Sequence, residues 1–165
     1  MAKSKTHLAR LARHATTLFN APWLEQYAAI CYRVDRENNK HLALMITARG
    51  SGRWVIPKGG PMKDKDSWQV AAREAFEEAG IKGKVSKKAI GSYSYLKRLD
   101  DGTNVPCIVE VFALEVDVIA ETFKEHGQRQ VLWVPLAEAG RLVEEPELRG
   151  LFVKLDTMLR EKLSR

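Results

Sequence analysis

Three carboxylates near the middle of the chain carry its clearest chemical signal. Glu74, Glu77 and Glu78 stand at i, i+3 and i+4, so on a helix they share one face. Like charges at that spacing repel, and a free surface helix gains nothing from them. A hard divalent cation reverses the sign of that energy, because Mg²⁺ takes carboxylate, water and phosphate oxygens. Arg73 lies four residues before Glu77 and can hold it by a charge-assisted hydrogen bond. Upstream, Gly59 and Gly60 are fixed between Pro57 and Pro61. Their missing side chains let the backbone approach a metal or phosphate closely, and a loop carbonyl can join the carboxylates. Lys58 and Lys63 add positive charge at the same place. Alone, Glu77 and Glu78 would read as a solvated helix face; the companion loop raises them above that reading.

The elements that must position these groups follow from hydrophobic pattern and turn chemistry. Residues 27–34 and 41–48 read as strands, with the polar stretch 35–40 turning between them as a hairpin. A short apolar piece at 53–56 follows the turn at Gly50-Ser51-Gly52, and 57–61 is expected to be a rigid, glycine-bearing loop. Asp66 or Ser67 can cap the next helix, with Gln69 as a capping-box partner for Asp66. That helix carries Ala71, Ala72, Ala75, Phe76 and Ala79 and stops at Gly80. Residues 89–98 and 105–116 are expected as strands around the turn at Asp100-Asp101-Gly102, with a further strand at 130–134. A short helix is expected at 135–143, and Pro146 suits the first turn of a last helix. There Leu148, Leu151, Phe152, Leu155, Leu159 and Leu163 recur at helical spacing as a core-facing stripe. The order of strands, helix, strands, helices predicts an α+β chain: an α/β/α sandwich with a mixed β-sheet rather than a regular parallel one.

The 165 residues suit one domain with a sizeable core, and 45% hydrophobic with 29% charged residues is an ordinary globular balance. The net charge of +6 is concentrated at the start. Lys3, Lys5, Arg10 and Arg13 fall in the first 20 residues, which contain no Asp or Glu. The expected organisation is therefore a basic extension at 1–20 and one domain at 21–165. A short basic arm is weak support for a nucleic-acid partner. Leu8, Leu11, Ala15 and Leu18 can form one apolar side of a short helix, a pattern that also faintly suggests an organelle transit peptide. No run approaches the roughly 18 apolar residues needed to cross a bilayer, so no membrane partner is expected. Cys31 and Cys107 lie far apart in apolar stretches, which reads as two packed thiols in a reduced, cytoplasmic protein rather than a disulfide or a zinc site. His7, His14, His41 and His126 show no metal-ligand spacing. Trp54 and Trp68 are expected to pack rather than stack on a base. The oligomeric state is not indicated.

Residues 59–81 closely resemble the Nudix box, G-x5-E-x7-R-E-U-x-E-E-x-G-U, where U is aliphatic. Gly59, Arg73, Glu74, Glu77, Glu78, Gly80 and Ile81 fall in register, and Ala75 takes the first U. The first Glu of the box falls on Lys65, flanked by Asp64 and Asp66. Residues 27–34, 42–49, 53–57, 71–83 and 128–133 are similar to diphosphoinositol polyphosphate phosphohydrolases and their bacterial relatives. The resemblance implies a Mg²⁺-dependent enzyme, with Mn²⁺ as a substitute, that splits a phosphoanhydride bond in a polyphosphorylated small molecule. A dinucleoside polyphosphate and an inositol pyrophosphate are the two substrate types it implies. Glu74 and Glu78 would be the principal metal ligands, with the Gly59 carbonyl joining them. Glu77 would bind metal directly or through water and help activate the attacking water, and Arg73 would orient the glutamates. Arg33, Arg49 and Arg129 match phosphate-contacting positions; Lys58, Lys97 and Arg98 are further basic candidates. The family's extra acid from a later loop falls near Gln130, with Glu125 as the available carboxylate. The rival reading is a non-catalytic Nudix domain that binds a nucleotide or nucleic acid as a sensor.

Overall fold

The computed structural model describes residues 23–165, and the basic extension expected at 1–20 lies outside them. Among the described residues, eight strands form one mixed sheet. At its centre is β1 (Leu24–Asp35), whose run Ala28, Ala29, Ile30 and Cys31 is fully buried on both faces. That explains why the segment reads as a continuous apolar stretch rather than an alternating one. On one side β1 runs parallel to β7 (Asn104–Ile119), from Leu24 opposite Cys107 to Tyr32 opposite Glu115.

The other side of β1 is shared. Its far end pairs with β2 (Lys40–Thr47) in the expected hairpin, Tyr32 opposite Ala43. Its near end pairs with β4 (Lys58–Gly59), Tyr27 opposite Gly59. β2 in turn pairs further along with β3 (Trp54–Val55). The two central strands therefore splay apart, and β3 and β4 fill the fork. Pro57 and Lys58-Gly59 are consequently not a free loop: the Ala29 amide donates to the Pro57 carbonyl at 3.1 Å. This corrects the loop expected at 57–61. It also holds the Gly59 carbonyl on the rigid sheet.

Outer strands complete the layer. β8 (Val131–Pro135) pairs with β2, while β5 (Ile81–Val85) and β6 (Gly91–Arg98) both pair with β7. α1 (Ser67–Ala79) covers one face, setting Ala71, Ala75 and Ala79 against Ala29, Cys31, Leu44, Ile46 and Phe112. These small side chains bring the helix close to the sheet. α2 (Leu136–Ala139) and α3 (Pro146–Leu163) cover the opposite face, setting Leu136, Leu148, Phe152 and Leu155 against Ile30, Met45 and Val111. The α/β/α sandwich with a mixed sheet is thus realised. Cys31 and Cys107 are buried free thiols in the two different core clusters, so the sheet itself separates them.

Several bounds differ from those expected, and three differences alter the elements themselves. The short helix covers only Leu136–Ala139 instead of 135–143. Leu163 is 67% exposed, so the buried stripe of α3 ends at Leu159. β5, which the sequence reading left out, starts directly after the helix cap at Gly80.

Candidate active site

α1 begins with the reciprocal capping box of Asp66 and Gln69, in which the Asp66 amide donates to Gln69 Oε1 at 2.8 Å. Lys65 is exposed just outside it, in a turn where its amide donates to the Met62 carbonyl at 3.3 Å and Asp64 takes a left-handed φ of 59°. Of the neighbouring acids, Asp66 serves the cap and Asp64 stands exposed in the turn. At the other end Gly80 takes φ 71°, and its amide donates to the carbonyls of Ala75 and Phe76. A Cβ there would also strike the Phe123 ring.

The face of α1 that carries the glutamates turns toward β4. The Glu74 carboxylate lies against Gly59 so closely that any Cβ on Gly59 would overlap it. That contact is the physical reason for glycine at this position. Glu78, 7% exposed, accepts the Lys58 backbone amide at 3.2 Å. Glu77 accepts from Arg73 Nε at 2.9 Å, the pairing expected from their spacing, and Lys124 Nζ stands 3.8 Å from its other oxygen.

A later segment closes over these groups. The Ala120 amide donates to the Gly80 carbonyl at 2.8 Å and the Glu125 amide to the Glu77 carbonyl at 2.9 Å. The loop between β7 and β8 is thus hung on the end of α1, which delivers Glu125 to the glutamate cluster. Gln130, by contrast, is tied by its amide to Thr47 Oγ1. The available carboxylate from this loop is Glu125, and the charge of Glu125 acts on both Glu74 and Glu78. Burial, followed by the charges of Glu77 and Glu125, pushes the Glu74 carboxyl up to about 7. Burial likewise pushes Glu78 up to about 7, against the opposing pull of Arg129 and Lys58.

The basic candidates divide by position. Arg129 has a largely covered side chain, with its Nη2 3.3 Å from both Glu78 Oε1 and Glu125 Oε1 and its Nη1 donating to the Thr47 carbonyl at 3.0 Å. Arg49 is exposed and bridges Glu125 at 3.0 Å and Gln128 at 3.2 Å. Arg33 shares the α1 face of β1 with Tyr27, Ala29 and Cys31 by strand alternation, and its guanidinium lies 4.0 Å over the Trp133 ring. Lys58 sends its ammonium to the opposite face, 5.5 Å from the Tyr95 ring, where burial lowers its pKa. Lys97 shares that face with Tyr93 and Tyr95 by the same alternation, and Arg98 is exposed at the tip of the β6–β7 hairpin. The structure therefore gathers Gly59, Arg73, Glu74, Glu77, Glu78, Arg49 and Arg129 at one place. It sets Arg33, Lys97 and Arg98 further out along the sheet. Trp54 and Trp68 pack against the two core clusters. Lys124 was not singled out from the sequence; a lysine beside Glu125 looks like any surface charge until the loop is seen to fold onto α1.

A family model described as the NUDIX domain matches residues 24–155. The chain belongs to the Nudix family. Nudix hydrolase 16, mitochondrial, of Arabidopsis thaliana is 29% identical over 124 residues, covering 73% of this chain and 68% of that protein. Diphosphoinositol polyphosphate phosphohydrolase 3-alpha of Homo sapiens is 37% identical over 60 residues, covering 36% of this chain and 35% of that protein. Among solved structures, a Caenorhabditis elegans Ap4A hydrolase binary complex superposes with a TM-score of 0.62 at 21% identity, covering 84% of this chain and 98% of that one. The NUDIX domain of Shewanella oneidensis NrtR, complexed with ADP ribose, superposes with a TM-score of 0.57 at 17% identity, covering 96% and 99%. At such identities the structural likeness speaks for the Nudix fold alone. The chain is a Nudix hydrolase by family, and no helix among its described residues is long and apolar enough to cross a membrane.

Among the described residues, no three acidic, histidine or cysteine side chains are gathered tightly enough to form a ready-made metal cluster. The donor chemistry nevertheless fits a hard cation. The Glu74 carboxylate lies against a glycine backbone, the charges of Glu77 and Glu125 act on it, and burial raises the proton affinity of both Glu74 and Glu78. Cysteine is absent from the group, and its only nearby thiol, Cys31, is buried and pushed further from ionisation by the charge of Glu78.

Proposed function

We propose that this Nudix hydrolase uses Mg²⁺, or Mn²⁺ in its place, to hydrolyse a phosphoanhydride bond in a polyphosphorylated small molecule. A dinucleoside polyphosphate or an inositol pyrophosphate is the substrate class. The observation that carries the reading is the Glu74 carboxylate set against Gly59 with Glu78 accepting the adjoining Lys58 amide, while the charges of Glu77 and Glu125 act on the pair. In this reading Glu74, Glu78 and the Gly59 carbonyl hold the ion, and Glu77 supports them from its pairing with Arg73. A bound divalent ion neutralises phosphate oxygens and acidifies water, which are the two demands of anhydride cleavage. Glu125 stands as the base for the attacking water, and its link to Arg49 keeps it oriented. Arg49 is an exposed cation beside the cluster and meets the substrate's phosphates as they arrive; Arg33 extends the basic path along the same face.

The relatives' names support this class: one is a diphosphoinositol polyphosphate phosphohydrolase, and one structural neighbour is an Ap4A hydrolase. We place the protein in the cytoplasm on the strength of its two separated free thiols, although several plant relatives are named mitochondrial. Phosphate release with Mg²⁺ over diadenosine polyphosphates, inositol pyrophosphates, nucleoside triphosphates and ADP-ribose tests the reading. Glu78→Gln keeps size and removes charge, so turnover should fall by roughly 10²-fold or more while the circular dichroism spectrum is kept. Near wild-type turnover of Glu78→Gln at saturating Mg²⁺ would sink the assignment. Tight ligand binding with no metal-dependent turnover by the wild-type protein would favour a sensor.

A further inference from the structure

Arg129 is placed oddly for a residue that only greets substrate. Its side chain is 9% exposed, beneath the loop that carries Glu125. One nitrogen is shared between Glu78 and Glu125, each at 3.3 Å, which is long beside the roughly 2.7–2.9 Å of a tight charge-assisted pair. A second nitrogen donates to the Thr47 carbonyl at 3.0 Å, on the strand that pairs with β3. The third, Nε, is buried with no hydrogen-bond partner among the described residues. A buried donor without a partner is costly, and native proteins tolerate few of them. The guanidinium therefore holds two carboxylates at once, both loosely, and leaves one of its own donors unmet. Such an arrangement neutralises a crowded acidic site without binding it tightly.

We propose that Arg129 is a built-in counter-cation, which occupies the carboxylates of Glu78 and Glu125 until a divalent ion displaces it and frees its guanidinium for the substrate's phosphates. The inference rests on the metal reading above and adds a competition within the chain itself. Three consequences follow from the geometry. Because Arg129 spans Glu78 on α1 and Glu125 on the later loop, it keeps both acids in place before the ion arrives. Because its positive charge stands beside those oxygens, it weakens metal binding in the absence of substrate. Because its release exposes a five-donor fork beside the cluster, metal and phosphate chain favour each other. Arg49 shares Glu125 but is exposed and does not reach Glu78, so solvent screens it and it does not compete in the same way.

The decisive measurement is Mn²⁺ affinity without substrate, by calorimetry and by the free-Mn²⁺ spin-resonance signal. Arg129→Gln should bind Mn²⁺ more tightly than wild type, by roughly tenfold, the scale expected when one positive charge is removed a few ångströms from the ion. Arg129→Lys keeps the charge and should stay within about threefold of wild type. Arg49→Gln should change the affinity by no more than about twofold. Equal affinities for wild type and Arg129→Gln, with Glu78→Gln clearly weaker, overturn the proposal and leave the metal site standing. Equal affinities for wild type and Glu78→Gln remove the metal site and the proposal together. The wild-type protein supplies a second measurement that does not depend on a variant's folding. The Arg129 Nε–H nitrogen resonance should be protected from water in the metal-free protein and exchange faster once Mg²⁺ is saturating, and an unchanged resonance overturns the displacement.

Discussion

Glu74 and Glu78 owe their raised proton affinity first to burial, and this has a measurable consequence. Both stand at about 7 in the folded chain against an ordinary value of 4.5. Their contribution to stability is therefore complete below about pH 4.5 and is lost as pH rises through about 7, because the unfolded chain sheds those protons first. In chelator, the Tm difference between Glu78→Gln and wild type should shift in favour of the variant as pH goes from about 5 to about 8. Mg²⁺ should raise the wild-type Tm most at the upper end, where it no longer competes with protons. A Tm difference that stays flat with pH would show that Glu78 is not held at this poise. Lys65 makes a contrasting case. It is exposed and outside the capping box, and the carboxylates converge without it. Lys65→Glu should change kcat by only a few-fold; if Lys65 touches phosphate, the change appears in KM instead. A complete loss of kcat at unchanged metal affinity would contradict both.

Among the elements, the end of α1 does two jobs. Gly80 terminates the helix in a left-handed conformation, and its carbonyl, with that of Glu77, anchors the 120–125 loop. Gly80→Ala meets both a positive φ and the Phe123 ring. It should cost about 1–3 kcal/mol in chemical denaturation and lower kcat at saturating Mg²⁺, because Glu125 loses its mooring; full stability and full kcat would refute the coupling. Local sequence shows half of this. The cap, the capping box and the i, i+3, i+4 carboxylates are all set by neighbours within a turn or two, and each is legible. The contact of Glu125 with α1 joins residues nearly fifty positions apart, and no local pattern encodes it. The same holds for Arg53, whose NH1 meets the buried carboxylate of Glu145 at 2.7 Å across the opposite face of the sheet. β5 escaped for a different reason: Ile81-Lys82-Gly83-Lys84-Val85 has two apolar residues around a glycine, and its pairing with β7 is bulged at Lys82/Gly83. β4 escaped because two residues cannot show a period. Its role exists only where β1 and β2 part.

At the scale of the whole molecule, the arrangement of positive charge bears on substrate size. One group, Arg49 with Arg129 and Lys124, stands at the glutamates. Arg33 lies further along the same face over Trp133. Lys97 and Arg98 stand at the end of a separate hairpin, and the ammonium of Lys58 lies buried beneath the sheet. A diphosphate bound at the carboxylates is short beside this spread: it meets the first group and little else. A chain of four or more phosphates, or a ring bearing many, can run from the carboxylates toward Arg33 and engage cations that a short substrate leaves to solvent. Diadenosine polyphosphates of four or more phosphates, or inositol pyrophosphates, should therefore exceed ADP-ribose and nucleoside diphosphates in kcat/KM. Arg49→Ala should depress the long substrates more than the short ones, mainly through KM, because that side chain is exposed and its contact is made equally in ground and transition states. Arg33→Ala should reproduce the length dependence with a smaller effect, since its guanidinium is already stacked on Trp133. A best substrate of two phosphates, with Arg49→Ala and Arg33→Ala unaffected, would leave the carboxylate site in place and remove the basic path from the account.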